Sequence, residues 1–293
     1  MKVLLAGATG YIGSGVLSAL LASGHTVTAL VRSEEKAAAV RQDGVMPVIA
    51  DMRDRETVRR VAAASDAVIT TASPGDENSA AADIDFSEAA LDGLREGGVF
   101  IHTSGIWVYG DNGDITENSP SDAPAIVAWH PEADARFLEA PGVRSILIEP
   151  AIVYGHGKGI PNVITAAEQT GDLPALQLVG PGTQHWTTVH IDDLAELYVA
   201  ALEHGEAGAR YVGAGGVNPT VRELGEAASH RRGFEGRVLP EDATATIERL
   251  GAFGEALMLD QQASGNKARE VLGWKPSRPS LVDEIAGGGY DQS

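Results

Sequence analysis

Gly7, Gly10 and Gly13 stand three residues apart, directly after the apolar run Val3-Leu4-Leu5-Ala6. The first glycine lets a strand turn sharply, the second lets backbone approach a pyrophosphate, and the third lets a helix pack against the strand. The helix that follows presents unpaired N–H groups and the positive end of its dipole to the phosphates. Thr9, Tyr11 and Ile12 complete this loop. A bare strand-to-helix turn is the competing role, but the strand before and the helix after favour dinucleotide binding.

The end of the second strand selects the dinucleotide. It reads Leu30-Val31-Arg32-Ser33, and no carboxylate occurs until Glu34. A carboxylate there would repel a 2′-phosphate, whereas a guanidinium pairs with one bidentately. Arg32 and Ser33 therefore point to NADP(H), with NAD(H) the alternative. Asp51 and Met52 close the third strand, where a carboxylate accepts from an adenine amino group or caps the next helix. Ala72 and Ser73 follow the fourth strand at the same edge and are read as cofactor contacts.

The elements that must carry these residues follow from the alternation of apolar runs and helical stretches. Strands are expected at 3–6, 26–31, 45–50, 67–71, 99–103 and 145–150. Helices are expected at 13–22, across Ala37 to Val40, at 56–64 and at 86–95. This spacing implies βαβ units, hence an α/β fold with a Rossmann-type doubly wound parallel sheet. Residues 1–154 read as the NADP-binding domain. Residues 155–293 read as a smaller C-terminal substrate lobe, from which a segment around 187–202 returns to the sheet. A strand-to-helix step is also expected at 217–219 and 222–228, and the glycines at 287–289 are expected to fray.

Composition narrows the classes. The 293 residues hold 22 Lys and Arg against 41 Asp and Glu, a formal charge of −19, and no cysteine. Such a surface repels nucleic acid and anionic lipid, and disulfides, thiolate metal sites and cysteine nucleophiles are excluded. No apolar run reaches the roughly 18 residues of a membrane helix. The opening residues do not resemble a secretory signal. The expectation is a cytoplasmic protein acting on a small molecule, with a homodimer left open. His102, His130, His156 and His185 are scattered without metal-ligand spacing, so no metal is expected.

Several segments together resemble the extended short-chain dehydrogenase/reductase family, the NAD(P)-dependent epimerase/dehydratase-like group. They are residues 7–13, Thr103-Ser104 with Val108-Tyr109-Gly110, Pro150 to Gly155, Val189 to Ala195, and Asn266 to Pro276. The resemblance implies a Rossmann fold and cofactor contacts from Thr103, Pro150, Ile152 and Val153. It also implies a Tyr-x-x-x-Lys pair about 20 residues after Tyr109, the tyrosine passing a proton and the lysine lowering its pKa. That slot falls on Trp129 or His130, and the lysine position falls on Ala133 or Asp134, so the pair is missing. Of the five lysines, only Lys158 has a tyrosine four residues before it, Tyr154, and the two intervening glycines argue against a shared helix face.

His130 is the candidate proton donor in the vacated slot. Ser104, with Thr103 as its neighbour, is the candidate for orienting a substrate oxygen; the strict family register falls on Gly105. Asp134 and Glu132 read as solvated helix-start carboxylates, and Asp192 as the cap of the helix after His190. Trp107, Trp129, Tyr154 and Trp186 are expected to wall the substrate pocket. These residues imply an NADP-dependent oxidoreductase that reduces a carbonyl or an activated double bond. A non-catalytic NADP-binding sensor is the alternative, and a sugar-nucleotide epimerase the weakest reading.

Overall fold

The computed structural model describes residues 1–73, 75, 78–170 and 173–291. In chain order its first half comprises β1 (Lys2–Ala6), α1 (Tyr11–Ala22), β2 (Thr26–Val31), α2 (Glu34–Val40), β3 (Val45–Ile49), α3 (Arg55–Ala63) and β4 (Ala67–Thr70). These lead into α4 (Ser79–Gly93), β5 (Val99–Thr103), β6 (Asn112–Ile115), α5 (His130–Leu138) and β7 (Arg144–Pro150). Next come β8 (Ile152–Gly155), β9 (Lys158–Gly159), α6 (Asn162–Thr165), β10 (Gln169–Thr170), β11 (Ala175–Gln177), β12 (Thr188–His190) and α7 (Ile191–His204). The chain ends with β13 (Ala209–Gly213), α8 (Val221–Arg231), β14 (Val238–Leu239), α9 (Ala243–Leu257), β15 (Gln261–Ala263), α10 (Asn266–Leu272) and α11 (Leu281–Ala286).

Seven strands pair in parallel in the order β3-β2-β1-β4-β5-β7-β13. The order reverses beside β1, which opens the crevice where such sheets bind ligands. The strands are nearly continuous apolar runs because helices cover both faces. Val3, Leu5, Ile69 and Ile101 belong to the core under α1 and α7, whereas Leu4, Val68 and Phe100 belong to the core under α3, α4 and α5. A third cluster, with Trp186, Leu178 and Leu224, fills the C-terminal lobe.

Several expectations shift. The helix expected from Phe86 begins at Ser79 instead, because Ala82 and Asp83 extend its buried face. No strand forms at 217–219; an isolated bridge joins His185 to Thr220, and α8 opens with a Thr220–Glu223 capping box. Beyond residue 155, both α7 and β13 join the sheet layer, β13 pairing with β7. The glycines at 287–289 do not fray as expected. Tyr290 behind them is buried, donates to the Lys158 carbonyl at 2.8 Å and accepts from the Gly155 amide at 3.0 Å. Among the described residues, no helix is long and apolar enough to cross a membrane.

Candidate functional site

The phosphate end is built from backbone. Gly7 adopts φ +89°, and its carbonyl accepts the Gly10 amide at 2.8 Å. A Cβ on Gly13 would sit 2.0 Å from the Gly7 oxygen, so only glycine lets α1 approach β1 this closely. Gly10 caps α1 without a side chain, and no acidic residue occupies the first turn. Amide protons are thus left for an anion.

A cleft of about 250 Å³ continues from this loop, lined by Gly7, Thr9, Gly10, Arg32, Asp51 and Met52, with Ala72 and Ser73 on its far side. Lys36 and Arg53 also line it; sequence reasoning missed both. Lys36 lies in the first turn of α2, four residues after Arg32, and that proximity in sequence could have revealed it. Backbone and side-chain hydrogen bonds from Arg53 hold the Asp51 carboxyl below the usual carboxylate range. Asp51 does not cap α3, since Asp54 does so by accepting from the Thr57 amide at 3.1 Å. Ser33 caps α2, its hydroxyl accepting the Lys36 amide at 3.2 Å.

The remaining sequence-selected cofactor residues lie outside this cleft. Tyr11 starts α1 pointing the other way, its hydroxyl donating to the Gly155 carbonyl at 2.8 Å. Ile12 packs against the core under α1. The Thr103 hydroxyl is held between the Thr70 carbonyl at 2.5 Å and the Tyr198 hydroxyl at 2.6 Å. That placement removes it as a substitute for Ser104. Pro150, Ile152 and Val153 are buried where β7 passes into β8.

The opposite end is built from side chains on three elements. Strand alternation sends Phe100 and His102 of β5 to the face covered by α4 and α5. On α5, His130, Ala133, Asp134 and Phe137 follow the i, i+3, i+4, i+7 spacing of a core stripe. Asp134 is therefore 0 % exposed, not the solvated carboxylate the sequence suggested. Its Oδ2 accepts the Ser104 hydroxyl at 2.6 Å. Its Oδ1 lies 3.2 Å from His102 Nε2 and 3.5 Å from His130 Nδ1. Asp83 of α4 reaches the same imidazole, Oδ2 to Nε2, at 3.5 Å.

Burial works against the Asp134 charge, but the nearby His102 and His130 outweigh it and hold the carboxyl well below its usual range. Burial likewise opposes a charged His102, yet Asp83 and Asp134 together raise its pKa. Burial dominates at Asp83 and pushes it up. His130 stacks on Trp129 with ring centroids 3.7 Å apart. Its Nδ1 is buried towards Asp134.

Histidines that look scattered in the sequence thus converge: donor atoms of His102, His130 and Asp134 lie within 4.8 Å of one another. So do those of His156, His190 and Asp192. In the second group, His190 Nδ1 already accepts the Asp192 amide at 3.1 Å. His190, not Asp192, is therefore the cap of α7.

A family model described as the NAD dependent epimerase/dehydratase family matches residues 3–213. The chain belongs to that family. Over 299 residues it is 32% identical to Uncharacterized protein C2A9.02 of Schizosaccharomyces pombe, covering 99% of this chain and all of that one. It is 27% identical to the 4-hydroxy-2-methyl-3-oxo-4-farnesyl-3,4-dihydroquinoline-1-oxide ketoreductase of Stigmatella aurantiaca, over 86% of this chain and 80% of that one. Among solved structures, the dTDP-glucose 4,6-dehydratase DesIV of Streptomyces venezuelae, crystallised with NAD and TYD, superposes with a TM-score of 0.76. It is 22% identical, with 99% of this chain and 96% of that one covered, which shows a common fold.

Within this epimerase/dehydratase fold, Tyr154 and Lys158 lie on the two strands of a β8–β9 hairpin, where Tyr154 pairs with Gly159 and Lys158 with Gly155, rather than along a helix. The Tyr154 hydroxyl donates to the Pro279 carbonyl at 2.7 Å, away from the sheet ends. Trp186 is buried in the lobe core with its Nε1 donating to the Leu257 carbonyl at 2.9 Å, so it walls no pocket.

Proposed function

We propose that this epimerase/dehydratase-family chain is an NADP-dependent reductase of a small-molecule carbonyl, with His130 as the proton donor. The observation that carries this reading is the buried Asp134 carboxylate, which holds Ser104 by one oxygen and faces His130 with the other. The ketoreductase among the relatives supports the reaction class.

The cradle fits the cofactor. Gly7, Gly10 and Gly13 would hold the pyrophosphate, and any side chain at Gly13 would close the space against Gly7. Arg32 and Lys36 flank the ribose end, outnumbering Asp51 together with Arg53. Among the described residues Arg32 and Lys36 make no side-chain ion pair, so both charges are free for a 2′-phosphate. When bound, the nicotinamide supplies the hydride.

The protein's own task is then to deliver a proton to the oxygen that becomes an alkoxide. The His130 Nδ1–H faces a fixed carboxylate, which sets the ring orientation. Its Nε2–H, on the side of the ring away from Asp134, would pass to the substrate oxygen, leaving a neutral ring that solvent reprotonates. Ser104 gives its only proton to Asp134 and has none for a carbonyl. Its role here is to hold that carboxylate in place, with its own backbone amide fixed on the Ile148 carbonyl at 2.9 Å.

The test incubates the purified chain with NADPH or NADH and a panel of aldehydes, ketones and quinones, following coenzyme oxidation. NADPH-dependent reduction of at least one carbonyl is expected. Bound NADPH that no panel member oxidises would overturn the enzyme reading in favour of a binding protein.

A further inference from the structure

His102 touches neither the coenzyme cleft nor open solvent. It is 1 % exposed, sits mid-face between Phe100 and Phe137, and still reaches two buried carboxylates. Asp83 Oδ2, Asp134 Oδ1, His130 Nδ1 and both His102 nitrogens are buried without an aligned hydrogen-bond partner. Five such atoms in one cluster are held by charge rather than by directed bonds. Two carboxylates shut away from water demand two positive charges, or one of them takes up a proton.

The groups facing this point can be enumerated by element among the described residues. α4 presents Asp83, α5 presents Asp134 and His130, and the flanking strands place uncharged Thr70 and Leu147 beside His102. The next cation, Arg210 of β13, is committed at 2.6 Å to Glu149 of β7, which also accepts the Tyr109 hydroxyl at 2.9 Å. Only the two histidines remain to balance the two aspartates.

We propose that His102 is a positioning residue, a buried imidazolium that offsets Asp83 and Asp134 together and thereby keeps Asp134 charged and aimed at His130. The proposal rests on the reductase reading for its consequence, but its charge balance can be read without turnover. His102 Nε2 faces both carboxylates, Asp134 at 3.2 Å and Asp83 at 3.5 Å, so its charge is shared between them while Asp134 Oδ1 also faces His130. With His102 neutral, Asp83 and Asp134 would share a proton, and His130 would lose its fixed counter-charge.

The experiment compares His102→Gln, Asp83→Asn and the double variant by thermal melting of the coenzyme-free protein. His102→Gln should lower Tm sharply, and adding Asp83→Asn should restore most of the loss, because removing the anion removes the need for the cation. Additive losses would show an ordinary packing histidine and overturn the proposal. The His102 imidazole carbon resonance, assigned by its disappearance in His102→Gln, should stay at the imidazolium position between pH 6 and 8. A neutral ring, or one equivalent of zinc retained per chain, would equally overturn it, since a metal-bound imidazole carries no proton on its ligating nitrogen.

With a carbonyl from the panel, His102→Gln should cost about tenfold or more in kcat with KM nearly unchanged, and the double variant should recover it. Recovery of Tm without recovery of kcat would reject the positioning role. If no carbonyl is reduced, the reductase reading falls, while the melting series still decides the charge balance.

Discussion

The two ends of the crevice are made by different means. At the phosphate end, a seven-residue loop supplies backbone amides, and the closeness of Gly13 to Gly7 fixes its shape. At the proposed reacting end, β5, α4 and α5 each lend one or two side chains to a cluster around Asp134. A backbone cradle tolerates change in its surroundings and fails only if a Cβ intrudes. A buried charge cluster fails when any partner is removed, because what remains is an uncompensated charge.

That difference predicts where damage is greatest. Asp134→Ala would leave His102 buried with Asp83 alone and Ser104 without its acceptor. Breaking a buried pair costs about 3–5 kcal/mol, so denaturant midpoints should fall by far more than for any change in the coenzyme cleft. A loss below about 1 kcal/mol would show that the cluster carries little charge.

His130→Phe separates chemistry from stability at the same end. The ring is only part-buried and its stacking on Trp129 is kept by phenylalanine. The rate of carbonyl reduction should drop about 100-fold or more, the lower range for general acid catalysis, with NADPH affinity unchanged. A variant as fast as wild type would return the proton donor to water or Ser104.

Legibility in the sequence divides along the same line. The sheet, the glycine loop and Arg32 at the end of β2 follow from local patterns, because the residues that cooperate are neighbours in sequence. Strand ends agree to within a residue at β2 and β5, where apolar runs are bounded by turns. The cluster was not legible, since Asp83, His102 and Asp134 come from segments about 20 to 30 residues apart. Two signals were nonetheless present. A carboxylate stands within the apolar stripe 130, 133, 134, 137 of a helix, and a histidine alternates with Phe100 on a strand otherwise made for the core. A polar residue in a core position asks for a partner, and each of these asks for the other.

At the coenzyme end the expected effects are smaller and specific. Arg32→Ala should weaken NADPH binding by about tenfold, in line with a hydrogen bond to a charged group worth roughly 1.5–3 kcal/mol shared with Lys36. NADH binding should hardly move. Calorimetry giving the same loss for both coenzymes would place Arg32 away from the 2′-phosphate.

The pH dependence of folding distinguishes the ends without any ligand. His102 is raised above the ordinary imidazole range, so its stabilisation is complete below about pH 6.5 and is lost as pH rises through the raised value. Asp134 is lowered, so its stabilisation is present above about pH 4 and is lost as pH falls towards its folded value. These two groups together stabilise most between roughly pH 4 and 6.5 and decline on the alkaline side, and Asp83, raised by burial, adds to the loss as it ionises with rising pH. Denaturation from pH 6 to 9 should show wild type losing stability more steeply than His102→Gln. Parallel curves would assign the slope to groups outside the cluster.

The smallest effect is expected at Lys158, the one lysine with a tyrosine four residues before it. In a helix that spacing would stack the two side chains. Here Tyr154 pairs with Gly159 and Gly155 with Lys158 across the β8–β9 turn, so the spacing measures a hairpin. The Tyr154 hydroxyl is spent on the Pro279 carbonyl, and burial raises its pKa further. The Lys158 side chain is exposed at the rim of the groove between α1 and α7. What anchors this turn is main chain: the Lys158 carbonyl accepts from Tyr290, and a substitution at the side chain leaves that bond intact. Lys158→Ala should therefore change stability by no more than about 0.5 kcal/mol and leave the rate of carbonyl reduction within about twofold, under 0.5 kcal/mol of barrier. A thousandfold loss, with Tm and NADPH affinity intact, would move the chemistry from the Asp134 cluster to the glycine turn.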